Sequence, residues 1–208
     1  WDGSEWRATG AGPNTMFKAT AQDSTGNLHA VTSSQDGIQH WMWDGDQWAM
    51  KETIFMPNDT DTASWPALAI GPDDTLHVVW DNNKKWQTDP NTPVPYWISY
   101  SRWNGAQWTA PQTLFGPIDD KSNWNPDITV LPDGLVLVVW GDVGLLPDSS
   151  IYATWGDGAA WVEPVLLHHD TKDDQMDARV EADAEGRIHV IWSTAGGRGV
   201  FHVFGTRQ

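Results

Sequence analysis

The chain alternates short apolar runs with polar turns, and no stretch keeps the apolar spacing that an amphipathic helix needs. Four of these runs are nearly continuous in apolar residues, and the last three end on tryptophan. They lie at residues 28–31, 76–80, 135–140 and 188–192. Strands covered on both faces show this pattern. The sequence therefore predicts an all-β protein whose neighbouring sheets bury these strands.

A phrase of two tryptophans flanking a turn occurs four times. Its copies span residues 1–6, 43–48, 103–108 and 155–161, and the last copy carries one extra residue. Asp-Gly and Asn-Gly accept the positive φ angles that hairpin turns require. The two tryptophans of a copy are expected to face each other across the turn. Each copy is thus predicted to join two antiparallel strands.

These elements recur in one order, which we label strand A, turn, strand B, loop, strand C, tryptophan turn and strand D. Successive units are about 50 residues long, and a period of that length with four strands is typical of a β-propeller blade. We predict blade 1 at about residues 15–57, blade 2 at about 64–116 and blade 3 at about 124–168. Blade 4 combines residues 176–208 with residues 1–10.

The two ends of the chain suggest how the ring closes. The fourth unit has no strand D, whereas the chain opens with an extra tryptophan turn and a D-like strand at residues 5–9. We therefore predict a single closed domain over residues 1–208, in which four blades of four antiparallel strands leave no open sheet edge. The alternative is a fragment or half of a larger propeller, two of which could pair. Because the chain begins at Trp1, we expect a processed or excised piece.

Composition narrows the classes of partner. Apolar residues make up 39% of the chain, and 16 tryptophans predict an aromatic core. The formal net charge of −16 and only 12 scattered Lys and Arg argue against nucleic-acid binding. No run of eighteen apolar residues occurs, so we expect no membrane insertion. The absence of cysteine removes disulfides and thiolate metal sites.

In a propeller the B–C loops and D–A connections share one face, around the mouth of the central channel. The B–C loops of this chain are unequal, and long unequal loops on a rigid scaffold commonly carry binding. Aromatic faces bury the C–H side of a sugar ring, while carboxylates and amides bind its hydroxyls. The predicted ligand-binding residues are Trp86, Tyr96, Asp81, Trp65, Trp124, Asp142 and Arg198. For Trp65 and Trp124, packing between blades is the alternative.

Metal binding is not indicated by any complete motif. Residues 58–61 have some of the alternation of a calcium loop but lack its central Gly and closing Glu, which leaves Asp59 and Asp61 as the metal candidates. No cofactor is predicted. His29, His77 and His189 recur at one position of strand B, which favours packing with a hydrogen bond between blades over metal ligation.

The segment at residues 101–108 resembles the Asp-box, Ser-x-Asp-x-Gly-x-x-Trp, of sialidase-type (BNR) β-propellers. Ser101, Gly105 and Trp108 match that motif, and Trp103 replaces its Asp. The copy at residues 41–48 keeps only the Gly and the last Trp. The resemblance implies a propeller that is secreted or on a cell surface and handles glycans. It does not carry over sialidase activity, since the required three arginines are not evident near the mouth.

The sequence favours a non-catalytic extracellular module that recognises carbohydrate, like a lectin, on the B–C and D–A loop face. The alternative is a structural or protein-docking propeller of a larger secreted or cell-surface assembly, with a protein as ligand. A sialidase-type glycosidase is the third hypothesis, and it requires two suitably spaced carboxylates at the mouth.

Overall fold

Strands and turns, with no helix, make up the part of the chain that the computed structural model describes. That part comprises residue 5 and residues 17–84, 95–118, 121–144, 149–170, 175–194 and 199–205. Within it, no helix exists that is long and apolar enough to cross a membrane. The predicted all-β class is confirmed.

The strands form four antiparallel sheets, which we call blades 1 to 4. Blade 1 contains β1 (Phe17–Gln22), β2 (Leu28–Ser34), β3 (Gly37–Trp43) and β4 (Trp48–Phe55). Blade 2 contains β5 (Asp61–Ile70), β6 (Leu76–Lys84), β7 (Tyr96–Arg102) and β8 (Gln112–Ile118). Blade 3 contains β9 (Lys121–Val130), β10 (Val136–Gly144), β11 (Ser149–Gly156) and β12 (Val165–Asp170). Blade 4 contains β13 (Gln175–Ala182), β14 (Ile188–Thr194) and β15 (Val200–Gly205).

The first strands of successive blades are neighbours, because β1 packs on β5, β5 on β9 and β9 on β13. The blades therefore radiate from a common centre, as in a propeller. Side chains of each second strand alternate between two neighbouring blades. In blade 2, Val78 and Trp80 belong to the cluster shared with blade 1, whereas Val79 belongs to the cluster shared with blade 3. All three side chains are fully buried, which confirms the two-sided burial predicted for this B strand.

The tryptophan phrases at residues 43–48, 103–108 and 155–161 form the predicted C–D turns. Trp43 pairs with Trp48 and Trp103 bridges Trp108, with ring centroids 5.7 and 5.9 Å apart. Gly105 in the second of these turns has a φ of 91°, a conformation that favours glycine. The Asp44 carboxylate and the equivalent Asn104 side-chain oxygen accept backbone N–H bonds across their turns. The position of these turns was therefore readable from the sequence.

Several strands are longer than predicted, which corrects the placement of candidate residues. Asp61, Trp65 and Trp124 were predicted in or beside D–A connections but lie within β5 and β9. Asp81 and Asp142 were predicted in B–C loops but lie within β6 and β10. The physical reason is a β-bulge in the first strand of the blade, beyond which the ladder of backbone hydrogen bonds resumes.

The recurring histidines form hydrogen bonds inside a blade rather than between blades. His29 Nδ1 lies 2.9 Å from His40 Nε2 on the adjacent strand, and His77 Nδ1 lies 2.6 Å from the Tyr100 hydroxyl. The predicted packing role therefore holds, but the predicted direction of the hydrogen bond was wrong. The reason is that both partners project from the same face of neighbouring strands.

Blade 4 differs from the others because only three of its strands lie in the described part of the chain. Among the described residues, no hydrogen-bonded ladder joins blade 4 to blade 1. The predicted closing strand at residues 5–9 lies outside the described residues except for Glu5.

Candidate functional site

The first strands of blades 2, 3 and 4 carry a strained residue at one equivalent position. Trp65, Asn125 and Asp177 have φ angles of 49°, 46° and 53°, within the left-handed region that non-glycine residues seldom adopt. Each lies within the register shift of its strand, where a bulge re-aims the side chain. Such strain concentrates at functional sites. The three residues therefore mark the central mouth as the candidate site.

Proline explains part of this local geometry. Pro66 and Pro126 directly follow Trp65 and Asn125, and a proline cannot donate to the ladder. A bulge accommodates a residue that lacks an N–H, because one ladder bond is already missing there. The sequence thus favours an interrupted strand at this point in blades 2 and 3.

A pocket of about 210 Å³ lies where the first strands of all four blades converge. Its lining includes Lys18, Trp65, Asn125, Asp127 and Arg179. The Trp65 side chain is 48% exposed, which is unusual for so large an apolar group. The Lys18 ammonium lies 4.3 Å from the centroid of the Trp65 ring, within the range of a cation–π contact.

Polar groups of blade 3 at the pocket are hydrogen-bonded to blade 4, one to its backbone and one to a side chain. The Asp127 carboxylate accepts the Val180 N–H at 2.9 Å, and burial raises its pKa against the opposing effects of that bond and of the Arg179 charge. The Asn125 amide donates to Asp177 at 2.7 Å. These bonds hold the acceptor and amide groups in fixed positions, which is what recognition of hydroxyl groups requires.

Asp81 lies beside this wall, and the nearby backbone N–H groups of Ser64 and Asn125 oppose the effect of burial on its pKa. Desolvation by burial raises the pKa of Asp81 to about 8. Because only 3% of the residue is exposed, Asp81 supports the mouth and does not present its carboxylate to a ligand.

The other predicted site residues are placed as follows. Trp86 and Arg198 lie outside the described residues, as does the side chain of Trp124. Tyr96 is half-buried at the start of β7, beside the long B–C loop. Asp142 is buried within β10 and is therefore not available to a ligand at the mouth. Of the predicted ligand-binding set, Trp65 is the member that lines the central pocket.

The metal candidates do not converge on one site. Asp59 is exposed, whereas Asp61 is buried and bonded to Lys84 and to the Asn58 amide. Among the residues that the structure describes, no group of three or more His, Asp or Glu side chains is arranged to hold an ion.

Lys18, Asn125, Asp127 and Arg179 line the pocket but were not among the predicted ligand-binding residues. A signal existed, since aligning the four first strands places Trp65, Asn125 and Asp177 in one column and Asp127 and Arg179 in another. The alignment requires the position of the β-bulge in each strand, which is known only from the pairing of the strands in the structure. Chemically, the mouth combines one exposed aromatic face, two cations and fixed amide and carboxylate groups.

No protein-family model matches the chain, and no curated protein matches it in sequence. Solved structures show the same fold. Over 90% of this chain and 43% of the other, it resembles the Hadza microbial sialidase Hz136, with a TM-score of 0.68 and 12% identity. A protein of unknown function from Dyadobacter fermentans gives a TM-score of 0.69 and 14% identity over 94% of this chain and 67% of the other.

An α-L-arabinanase from Penicillium chrysogenum, solved with arabinobiose, gives a TM-score of 0.58 and 13% identity. That match covers 93% of this chain and 63% of the arabinanase. The chain therefore spans 43% to 67% of the length of these three structures. At these identities the comparisons show an all-β propeller-type fold.

Proposed function

We propose that the chain is a non-catalytic module that binds carbohydrate at the channel mouth, with Trp65 as the stacking platform. The single observation that carries this proposal is the strained and exposed Trp65, held at a pocket of about 210 Å³ beside Lys18. A folded chain has no structural need to hold a large apolar ring in strained backbone and half in water. Binding of a ligand against the ring accounts for both features.

Several further features support a sugar as the ligand. Saccharides present an apolar C–H face together with hydroxyl groups, and the mouth offers a ring together with the Asn125 amide and the Asp127 carboxylate. Solved structures with the same fold include proteins described as a sialidase and as an arabinanase in complex with arabinobiose. A role outside the cell, in solution or on a surface, accords with such a ligand.

The test is a glycan array followed by calorimetry on the best ligand. Trp65→Ala should weaken binding about tenfold or more, since a buried aromatic anchor commonly contributes over 1.4 kcal/mol. Trp43→Ala, which removes a half-buried tryptophan from a C–D turn, is the matched control and should leave the affinity unchanged. Equal affinities of the parent and Trp65→Ala would contradict the assignment of the site.

The same array separates the competing functions. An array without any bound glycan would contradict carbohydrate recognition and favour a protein-docking role. Release of sugar from a bound ligand, lost on Asp127→Asn, would show a glycosidase and overturn the non-catalytic assignment. Asp127 is the carboxylate to test, because its pKa is raised by burial and it lines the pocket.

We also propose that the ring closes on itself, with residues 1–10 completing blade 4. The support is that β15 has a free edge in the described residues, whereas β3, β7 and β11 each pair with a further strand. The side chains of β15 are exposed along its whole length, including Val200 at 78% and Phe204 at 67%. Closure predicts a monomer in solution, which light scattering measures.

A further inference from the structure

A second pocket, of about 720 Å³, lies between blades 1 and 2 at the A–B and C–D turns, the end of the strands away from the mouth. Its lining contains three carboxylates and one ammonium group, from Asp23, Asp73, Asp74 and Lys51, together with the Trp103 ring. Hydrogen bonds from side chains of their own turns lower the pKa of Asp23 and of Asp73, so both carboxyls are charged at neutral pH. The pocket therefore attracts cations.

A buried acceptor in this lining has no partner. His40 lines the pocket, only 4% of it is exposed, and its Nδ1 has no hydrogen-bond partner among the described residues. His29 Nε2 lies 3.3 Å from the Asp23 carboxylate, which accepts, so the His29 proton lies on Nε2 and Nδ1 is an acceptor. His40 Nε2, 2.9 Å from that Nδ1, is then the donor. His40 Nδ1 is left to accept, which favours a ligand that carries an N–H group.

The equivalent pocket between blades 2 and 3 shows which cation such a lining accommodates. This smaller pocket, of about 280 Å³, is lined by His77, Arg102 and the carboxylates of Asp73, Asp133 and Asp157. The Arg102 guanidinium donates to the Asp157 carbonyl oxygen at 3.2 Å and so reaches from blade 2 to blade 3. The chain thus places a guanidinium of its own among these acidic groups.

Between blades 1 and 2 the corresponding residue carries no charge. Arg102 pairs with His77 across β6 and β7, and Met42 pairs with His29 across β2 and β3. Met42 is therefore the equivalent of Arg102, and it lines the larger pocket. A thioether neither balances carboxylates nor donates a hydrogen bond. This pocket has the acidic lining of its counterpart but lacks the guanidinium.

We propose that the pocket between blades 1 and 2 binds the guanidinium group of a ligand, at the place equivalent to that of Arg102 in the next pocket. An N–H of the ligand donates to His40 Nδ1, and the carboxylates of Asp23 and Asp73 balance its charge. The Trp103 ring offers a face to the planar cation. This site is separate from the mouth and does not depend on the proposed carbohydrate binding.

The first measurement is a titration of the chain with n-butylguanidinium, followed by calorimetry and by the nitrogen NMR signals of the histidine rings. We expect saturable binding and a shift of the His40 Nδ1 signal, which is identified by its loss in His40→Gln. Neutral n-butylurea keeps the N–H groups and should bind about tenfold more weakly, since hydrogen bonds to charged groups are the stronger ones. Absence of binding, saturation without a His40 shift, or equal affinities of the two probes would overturn the proposal.

Met42→Arg tests the same site from within the chain. The new side chain starts from the position equivalent to Arg102, so its guanidinium should occupy the pocket and abolish binding of n-butylguanidinium. Met56→Arg is the matched control, because it adds the same charge at a residue that is 58% exposed and outside the lining. Its affinity should stay within about twofold of the parent, since solvent screens the added charge. Equal affinities of Met42→Arg and Met56→Arg would contradict the proposal.

Asp73→Asn decides the matter if Met42→Arg does not fold. Removal of this charge should weaken binding of n-butylguanidinium about threefold, as for loss of an exposed ion pair. Asp133→Asn changes the same turn position of blade 3, outside the lining, and should bind as the parent does. Equal affinities of these two variants would count against the site.

A tripeptide with a central arginine and blocked ends distinguishes the two sources of a guanidinium group. Tighter binding of the peptide than of n-butylguanidinium would assign the group to a protein segment, whereas equal or weaker binding would assign it to a small ligand. Neither result depends on the glycan array, so this site and the mouth are tested independently.

Discussion

At the scale of single residues, the mouth is defined by backbone conformation as much as by chemistry. Three blades use the same bulge but place Trp65, Asn125 and Asp177 at its strained position. Asn and Asp accept the left-handed region better than most residues, whereas tryptophan gains nothing from it. The presence of tryptophan at this position is therefore not explained by the stability of the fold.

The strained backbone at Trp65 predicts which of two variants at this position is the more stable. Glycine normally destabilises a strand by about 0.5–1 kcal/mol relative to alanine. At Trp65 we expect the reverse, with Trp65→Gly more stable than Trp65→Ala by about 1 kcal/mol. Glycine adopts the φ of 49° without strain, whereas alanine does not. Urea denaturation of the two variants measures the difference. The control is Ala67, two residues along the strand, where the parent alanine should be more stable than Ala67→Gly.

Residue chemistry at the mouth was only partly readable from the sequence. The preference of aromatic rings for sugar faces singled out Trp65, which lines the pocket. Lys18 and Asp127 were not identified, because their convergence depends on which residue of each strand the bulge displaces. Periodicity along one strand cannot give that displacement, since it follows from pairing with the next strand.

At the scale of elements, a relay of three polar side chains, Asp23, His29 and His40, links the turn between β1 and β2 to strands β2 and β3 of blade 1. His29 Nε2 lies 3.3 Å from the Asp23 carboxylate, and His29 Nδ1 lies 2.9 Å from His40 Nε2. If His29 donates from Nε2 to Asp23, its Nδ1 accepts from His40 Nε2–H. His40 Nδ1 is then a bare acceptor, in agreement with its lack of a partner among the described residues. This arrangement is satisfied only while His40 is neutral.

The relay predicts a defined pH dependence. Burial, with smaller contributions from the His29 and Lys51 charges, lowers the pKa of His40 from 6.5 to about 4. A lowered folded-state pKa gives stability that is complete above pH 6.5 and is lost as the pH falls towards 4. Glutamine does not titrate in this range. Between pH 7 and 4, the free energy of unfolding of His40→Gln should therefore fall by about 3 kcal/mol less than that of the parent.

Urea denaturation at several pH values measures this difference. A pH profile of His40→Gln that runs parallel to that of the parent would contradict the assigned tautomers.

The elements themselves were largely predictable, and their bounds were not. Tryptophan turns and apolar runs located the strands because turn chemistry and two-sided burial leave strong local signals. Strands β5 and β6 nevertheless extend further than predicted, so that Trp65 and Asp81 lie in strands. The polar residues there read as loop, but Asp81 is buried, close to backbone N–H groups of two neighbouring strands. A polar residue that is buried only by tertiary contacts gives no local sign of being in a strand.

At the scale of the whole molecule, burial of the side chain at one repeat position shows whether the next blade covers that face. Val31, Val79 and Val139 are fully buried against the next blade, whereas the equivalent Ile191 of blade 4 is 44% exposed. The sequence is apolar at all four positions, as expected if all four faces are to be covered. The repeat therefore anticipates a neighbour for blade 4, and under the proposed ring closure that neighbour would be blade 1.

A charge at this position tests closure of the ring. Val139→Asp should be strongly destabilising, by several kcal/mol, because it buries an unpaired carboxylate between blades 3 and 4. If blade 1 covers blade 4, Ile191→Asp should approach the same loss in free energy of unfolding, with the protein monomeric by light scattering. An Ile191→Asp variant within about 0.5 kcal/mol of the parent, as surface substitutions commonly are, would show an uncovered face and contradict closure. A dimeric parent made monomeric by Ile191→Asp would instead assign this face to a second copy, because the charge would then break a contact between chains.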